Sequence, residues 1–196
     1  GAFLPTVAQR CRAAHPGLQL KLLDLPISDV LRTVADGDVD LALAWDVPET
    51  AGLRTLFTSE WPIGAVVPPG HALTTRATTS LADCVGFPLI LPAATLSLRA
   101  ILDGAFARSA IGVSPIIETS STALMRQLVA QQQGITLLNR LDIAEDLRAG
   151  HLVFVPLRDA GLAPQRLALV TRAGSGPGAT AGLLADVQAL AGATVS

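Results

Sequence analysis

The sequence has no tyrosine, and a single lysine, Lys21, among its 14 basic residues. A surface that binds nucleic acid usually combines a basic stripe with aromatic side chains on which bases stack. Here the arginines are scattered along the chain and the formal net charge is −2. We therefore do not expect this chain by itself to bind DNA or RNA.

The residue spacings that mark common enzymes and metal sites are also missing. We find no Gly-rich phosphate loop, no nucleophile elbow and no cluster of metal-ligating side chains. The three histidines lie near turns or helix ends, and nothing in the spacing supports a Cys84–His71 pair. Cys11 and Cys84 show no metal spacing, and Cys11 lies on an apolar stripe that indicates the core. We predict a protein that is not an enzyme and has neither a metal nor a cofactor.

Charged residues are scarce and long apolar runs are absent. Only 15% of residues are charged and 50% are hydrophobic, a composition that excludes a disordered chain. No apolar run approaches the roughly 18 residues that a membrane span needs. The first residues lack the pattern of a signal peptide, and we expect upstream sequence to be missing. A cytoplasmic location fits the two cysteines.

One pattern occurs twice in the chain: strand, helix, glycine stop, strand. The first copy extends over residues 18–44 and the second over residues 113–138. In each copy a Ser- or Thr-bearing turn opens the helix, with Ser28 as the predicted cap in the first. An apolar run follows Gly37 in one and Gly134 in the other, as in buried parallel strands. Two β-α-β units about ninety residues apart in one chain predict two similar lobes.

The remaining segments complete an α/β fold with two Rossmann-like lobes joined by two crossover segments. A helix is predicted near residues 5–15, a strand at residues 63–67 ending at Pro68-Pro69-Gly70-His71, and a strand at residues 165–171. A last helix is predicted around residues 183–190. We predict that residues 1–70 and 166–196 form lobe I and that residues 71–165 form lobe II. Two crossings of this kind make a hinge.

Four stretches, taken in order, resemble the effector-binding domain of LysR-type transcriptional regulators. The first is Phe3-Leu4-Pro5 with a helix ending at His15-Pro16-Gly17, and the second is the run from Gly37 to Leu43. The third is Val67-Pro68-Pro69-Gly70-His71, and the fourth joins Leu128-Val129-Ala130 to the run from Gly134 to Leu138. Two features depart from the family pattern: the Gln131-Gln132-Gln133 segment, and Asn139 at a position that is often proline.

The resemblance implies a type 2 periplasmic-binding-protein fold that binds a small metabolite in the cleft between its lobes. It also implies a homodimer or homotetramer that has no membrane association. In this family DNA is bound only through an N-terminal winged helix-turn-helix. We expect that module and the first strand of the effector domain to lie outside this chain.

Candidate ligand-binding residues follow from the resemblance and from the places where predicted strands end. Helix N-termini there offer unpaired N–H groups and a positive dipole end to an anion. Arg99 is interpreted as a surface residue. The predicted ligand-binding residues are Ile27, Ser28, Trp45, Asp46, Ala94, Thr95, Ser97, Ser120, Ser121 and Asn139.

Two functions stay open at this point. The first is an effector-sensing domain that signals to a DNA-binding module. The alternative is an extracytoplasmic solute-binding protein of a transport system, which shares the fold. The uncharged hydroxyl-rich residues of lobe II favour a small polar ligand, such as a carboxylate, an amino acid or a sugar acid.

Overall fold

A computed structural model describes residues 3–17 and 19–174 of the chain. The fold is mixed α/β with two sheets. Helices occupy α1 Phe3–Ala14, α2 Ile27–Asp36, α3 Leu81–Cys84, α4 Ser97–Arg108, α5 Thr122–Ala130 and α6 Ala144–Ala149, with a short 3₁₀ helix at Ala72–Thr75. Strands occupy β1 Ala42–Trp45, β2 Leu53–Trp61, β3 Ile63–Val67, β4 Leu89–Pro92, β5 Ile117–Thr119, β6 Ile135–Asn139, β7 Val153–Pro156 and β8 Gln165–Arg172.

The chain divides into two compact units, and it passes from one to the other twice. The central unit is Trp61–Gln165, and the flanking unit contains the described residues up to Glu60 and from Arg166 onward. The first passage lies between residues 60 and 61, whereas the sequence analysis placed it after residue 70. The difference arises because β3 forms hydrogen-bonded ladders with β6 and β7, both strands of the central unit.

The central unit is a five-stranded sheet in the order β5-β4-β6-β3-β7. β4 pairs in parallel with β5 and with β6, while β3 runs antiparallel to β6 and β7. β3, β4 and β6 are buried along their whole length. This explains their continuous apolar sequences, since strands covered on both faces lose the alternation of a half-exposed sheet. The faces are covered by apolar side chains such as Leu102 and Phe106 of α4 and Met125 and Val129 of α5.

The flanking unit contains a three-stranded sheet in the order β1-β8-β2, in which β1 and β8 are antiparallel. Val34 of α2 packs with Ala44 of β1 and Val170 of β8 in one buried cluster. Val7 and Cys11 of α1 pack with Leu169 in a second cluster. Cys11 therefore lies in the core, as its position on the apolar stripe of α1 predicts.

Three local signals in the sequence determine helix ends. Gly37 ends α2 with φ of +85°, the left-handed conformation that glycine adopts without steric penalty. Ser80 caps α3 through a reciprocal capping box with Asp83. The Ser121 hydroxyl accepts the Leu124 N–H and caps α5. Each signal depends on residues within four positions of one another, so the local sequence determines it.

Two predictions for the first repeat are wrong. Residues 19–26 form no strand, and β1 pairs antiparallel with β8 rather than parallel with this segment. A strand needs a neighbour for its backbone groups, and no described strand pairs with residues 19–26. Leu22 is left 59% exposed. The alternation of apolar residues therefore predicts an extended conformation here but not a ladder.

Ser28 is not the cap of α2. The helix begins one residue earlier, at Ile27, and its N-cap is Pro26, which provides no side-chain hydrogen bond. Ser28 lies in the first turn and is exposed. The helix predicted around residues 183–190 lies outside the described residues. Among the helices that the structure describes, none is long and apolar enough to cross a bilayer.

Candidate functional site

Three parallel strands of the central unit end at one edge of the sheet, and predicted site residues follow each of them. β4 is the middle strand of this group and pairs with both β5 and β6. The Ala93 N–H, just after β4, donates to the carbonyl of Thr119 at the end of β5 at 2.9 Å. Ligands of open α/β sheets bind at the carboxyl ends of strands. The structure thus brings six predicted residues to one sheet edge: Ala94, Thr95, Ser97, Ser120, Ser121 and Asn139.

Four of these residues are exposed at that edge. Ala94 and Thr95 form the turn between β4 and α4, and Ser120 and Ser121 connect β5 to α5. The Ser121 N–H donates to the Thr119 hydroxyl at 3.1 Å, while the Ser121 hydroxyl caps α5. The Ser121 oxygen is therefore already an acceptor inside the protein, but its hydroxyl proton is a donor that the cap does not use.

Asn139, the last residue of β6, is fully buried and makes three hydrogen bonds. Its side-chain Nδ2 donates to the Gln165 Oε1 at 2.7 Å and to the Asp142 Oδ2 at 2.8 Å. Its Oδ1 accepts the Asp142 N–H at 2.9 Å. Both amide hydrogens of Asn139 are thus used within the central unit.

Gln165 extends this chain of contacts to α4. It is 2% exposed, and its Nε2 lies 3.5 Å from the Ser97 hydroxyl. We name the connected side chains Ser97, Gln165, Asn139 and Asp142 the Asn139 network. The prediction from sequence contained Ser97 and Asn139 and missed the other two.

Asp142 is the only carboxylate of the Asn139 network. Desolvation raises the pKa of its carboxyl to about 6, against the lowering effects of the amino-terminal charge, the Asn139 hydrogen bond and the Arg126 charge. Arg126 itself forms an ion pair with Asp146 of α6. A carboxyl whose pKa is raised by its surroundings is a candidate for a functional group.

Arg99 connects the first turn of α4 to the ends of β4 and β5. Its guanidinium donates to the Pro92 carbonyl at 3.0 Å and forms ion pairs with Asp103 and Glu118, both at 2.8 Å. Its side chain is 17% exposed and its two carboxylate partners are 52% and 46% exposed, so these ion pairs lie at the surface of the unit. The two hydrogen-bonded carboxylates raise the pKa of Arg99 and hold its charge within the protein.

The other four predicted residues lie in the flanking unit, at the start of α2 and the end of β1. Ile27 packs against the buried cluster that contains Val47. Trp45 is opposite Leu167 of β8 and is partly exposed. Asp46 has φ of +51°, and its Oδ1 accepts the Arg166 N–H at 2.8 Å.

The two residues that were missed differ in the signal that could have found them. Asp142 follows Asn139 by three residues, a spacing at which an asparagine side chain commonly binds the backbone of a turn. Gln165 lies 26 residues from Asn139. Its contact depends on how the central unit brings Gln165 next to the end of β6, so the sequence offered no signal for it.

Several features of the described residues lie outside this edge. Burial raises the pKa of Cys84 to about 12, which keeps it a thiol rather than a nucleophilic thiolate. The His71 Nδ1 accepts the Leu73 N–H, as expected of a turn residue. No three His, Cys, Asp or Glu side chains of the described residues are grouped to hold a metal ion. A cavity of about 280 Å³ near His71, Phe87 and Gln132 contains none of the predicted residues.

Residues 1–189 match the family model described as the LysR substrate binding domain. The HTH-type transcriptional regulator BbuR of Bordetella bronchiseptica is 31% identical over 172 residues, which are 87% of this chain and 51% of BbuR. The transcriptional activator protein LysR of Escherichia coli is 26% identical over 78% of this chain and 49% of its own length. The chain thus spans about half the length of the curated relatives it matches.

Solved structures show the same fold at lower identity. The BenM effector-binding domain with its effector benzoate has a TM-score of 0.76 and is 18% identical, over 97% of this chain and 86% of that one. The effector-binding domain of QuiR in complex with shikimate has a TM-score of 0.75 and is 16% identical, over 97% and 90%. At these identities the likeness shows the fold alone.

Proposed function

This chain belongs to the LysR substrate binding domain family, and we propose that it is the effector-sensing part of a transcriptional regulator. The family and its curated relatives are transcriptional regulators, not enzymes. In our proposal the domain binds a small metabolite and transmits that event to a DNA-binding module. A ligand shifts a conformational equilibrium only by the difference of its affinities for the two states.

The observation that carries the proposal is the edge where β4, β5 and β6 end in the central unit. Hydroxyl groups of Thr95, Ser97 and Ser121 lie there with the first turns of α4 and α5. Such an edge supplies N–H and hydroxyl donors without a fixed positive charge at its surface, because two carboxylates neutralise Arg99. It suits a small polar ligand with hydrogen-bond acceptors.

We propose that the ligand-binding residues are those of the sequence prediction. In the central unit these are Ala94, Thr95, Ser97, Ser120, Ser121 and, through the side chains that it holds in place, Asn139. In the flanking unit they are Ile27, Ser28, Trp45 and Asp46. The binding cleft expected between the lobes stays a prediction. BenM and QuiR are described with benzoate and shikimate, both small carboxylates, which supports the same class of ligand here.

The rest of the regulator is also proposed. We expect a homodimer or homotetramer in the cytoplasm, whose contact with DNA is made by a winged helix-turn-helix outside this chain. The transport alternative is not favoured, because the curated relatives are transcriptional regulators.

The experiment that tests the function uses the natural full-length protein. A library of metabolite carboxylates, amino acids and sugar acids is screened by thermal shift, and each hit is tested for a change in DNA affinity by fluorescence anisotropy. We expect at least one compound to change both properties. If no compound in a broad library does so, or if a hit is steadily converted to product, the proposed function is wrong.

The site is tested with single substitutions once a hit is known. Thr95→Ala and Ser121→Ala remove hydroxyl donors at the strand edge, and each should weaken binding by about tenfold, the effect of one lost hydrogen bond to a charged ligand. Ser114→Ala is the matched control, because Ser114 is an exposed serine in the segment between α4 and β5. It should bind the hit as the natural protein does.

A further inference from the structure

The Asn139 network has buried middle members and partly exposed ends. Asn139 is 0% exposed and Gln165 is 2% exposed, while Ser97 and Asp142 each keep part of their surface accessible. A molecule that approaches this network therefore reaches Ser97 and Asp142 before it reaches the two amides. The four side chains are nevertheless connected by hydrogen bonds, so a contact at either end changes the hydrogen bonding of the others.

The two buried amides have little capacity left for a ligand. Both hydrogens of the Asn139 amide are donated to protein oxygens, at 2.7 and 2.8 Å. The bond to Gln165 also orients the Gln165 side chain, because the Oε1 faces Asn139 and the Nε2 must then face Ser97. A direct ligand contact by Asn139 would break one of these bonds and leave a buried polar group unsatisfied.

Asp142 differs from the amides because its acceptor capacity is largely unused. A carboxylate has about four acceptor sites. Among the described residues, the Asp142 carboxylate accepts one hydrogen bond, from the Asn139 side chain. The positive charges that act on the Asp142 carboxyl are the amino terminus of the chain and Arg126, and Arg126 is paired with Asp146. No ion pair of the described residues includes Asp142. A desolvated carboxylate with unused acceptor sites gains from a further donor.

We propose that Asp142 is a specificity-determining residue of the effector site and that its carboxylate binds a hydroxyl or ammonium group of the effector. Asn139 and Gln165 are positioning residues in this proposal. The inference rests on the proposed function and narrows its ligand class. The effector carries a hydrogen-bond donor toward Asp142 as well as the acceptor, such as a carboxylate, that suits Ser97 and the first turn of α4. Hydroxy acids and amino acids meet both requirements. Carboxylates without a second polar group supply the acceptor but lack the donor toward Asp142.

The test compares probes that differ only in the donor. Matched sets are propionate, lactate and alanine, and benzoate, 3-hydroxybenzoate and 4-hydroxybenzoate, titrated into the full-length protein by calorimetry. We expect the best donor-bearing member of at least one set to bind about tenfold more tightly than its donor-free parent, the effect of a hydrogen bond to a charged group. A preference for the donor-free parent in both sets would overturn the inference.

Asp142→Asn removes the charge and keeps a side-chain oxygen that still accepts from Asn139. We expect this variant to lose most of the donor preference while its thermal unfolding stays cooperative. Glu145→Gln is the control, since Glu145 is exposed, lies three positions along the chain and undergoes the same change of charge. The inference is wrong if Asp142→Asn retains the preference, or if Glu145→Gln loses it equally.

The positioning role of Asn139 is tested through selectivity rather than stability. Asn139→Ala should reduce the donor preference, and the double variant with Asp142→Asn should be no less selective than Asp142→Asn alone, because both changes remove one shared contact. Independent, additive losses would contradict a positioning role. If no probe of either set binds, the inference falls, whereas the proposed function falls only if the broad metabolite library also gives no effector.

Discussion

Asp46 and Arg166 are joined by two hydrogen bonds, one between their backbones and one from the Arg166 backbone to the Asp46 side chain. The Asp46 N–H donates to the Arg166 carbonyl at 2.7 Å, and the Asp46 Oδ1 accepts the Arg166 N–H at 2.8 Å. The pair extends the β1–β8 ladder beyond Trp45, the last residue of β1. Asp46 has φ of +51°, a conformation that aspartate tolerates better than most residues. An interaction of this kind stabilises the start of β8 next to the passage between units at residues 165 and 166.

We expect Asp46→Ala to lower the free energy of unfolding by about 1–2 kcal/mol. The substitution removes the acceptor for the Arg166 N–H, and alanine adopts a positive φ less readily than aspartate does. Asp46→Asn keeps an acceptor oxygen and should lose no more than about 0.5 kcal/mol. Urea unfolding followed by circular dichroism measures both. Equal stability of the alanine and asparagine variants would show that the Oδ1 contact does not stabilise the fold.

Gly134 begins the turn into β6 at a place where a side chain has no room. An added β-carbon would lie 2.5 Å from the Pro88 carbonyl oxygen, which accepts the Ile135 N–H at 2.9 Å. Gly134→Ala should therefore push β6 away from the segment before β4 and destabilise the protein by about 1–3 kcal/mol.

The control for this substitution is Gly112→Ala, because no atom lies within 4 Å of an added β-carbon there and its φ is not positive. Its free energy of unfolding should change by less than about 0.5 kcal/mol. Thermal unfolding of the two variants side by side measures the difference. If both alanines are tolerated equally, the close approach at Pro88 is not a constraint on the fold.

The features that the sequence predicted well are those with short-range causes. The glycine stop at Gly37 and the Ser-bearing turn that opens α5 both follow from neighbouring residues. Residues 18–25 are predicted as a strand from the alternation of Leu18, Leu20 and Leu22, yet a strand requires a partner that alternation does not specify.

The same limit applies to the candidate site. Strand ends and helix starts could be located from the sequence, so the edge formed by β4, β5 and β6 was predicted in outline. The side chains that meet there could not. Gln165 reaches Asn139 across 26 residues, and Glu118 pairs with Arg99 across 19. Such contacts depend on strand order and register, which periodicity does not determine.

Gln132 holds a conformation that glycine adopts more easily. Its φ is +60°, and its N–H donates to the Val129 carbonyl at the end of α5. A left-handed conformation costs a residue with a side chain roughly 1–2 kcal/mol, and glycine would avoid this cost. The greater freedom of glycine in the unfolded chain would offset part of that gain. We expect Gln132→Gly to raise the free energy of unfolding by about 0.5–1 kcal/mol.

Gln133→Gly is the matched comparison, because Gln133 is the next residue and does not have a positive φ. That substitution should lower stability, since it adds freedom to the unfolded chain and removes the bond from Nε2 to the Gln131 carbonyl. Urea unfolding of both variants gives opposite signs if the conformation of Gln132 is the cause. The same sign for both would exclude it.

Asp142 should make the stability of the protein depend on pH in the acidic range. Desolvation raises the pKa of its carboxyl from 3.8 to about 6 in the folded protein. Between these values the unfolded chain is ionised while the native protein keeps its proton, so the native state binds more protons and stability falls as pH rises. Above pH about 6 both states are ionised, and the unfavourable contribution of Asp142 is complete.

The variant Asp142→Asn does not titrate at this position and should escape that loss. We expect its free energy of unfolding, relative to the natural protein, to rise by about 1–2 kcal/mol between pH 4 and pH 7. This is less than the full pKa shift would give, because part of the side chain stays in contact with water. Glu145→Gln should give a flat difference over the same range, since Glu145 is exposed. Urea unfolding at several pH values measures both differences. If the free energy of unfolding of Asp142→Asn, relative to the natural protein, falls as pH rises, the folded protein stabilises the Asp142 charge. A donor on the effector would then have no desolvation cost of that charge to compensate.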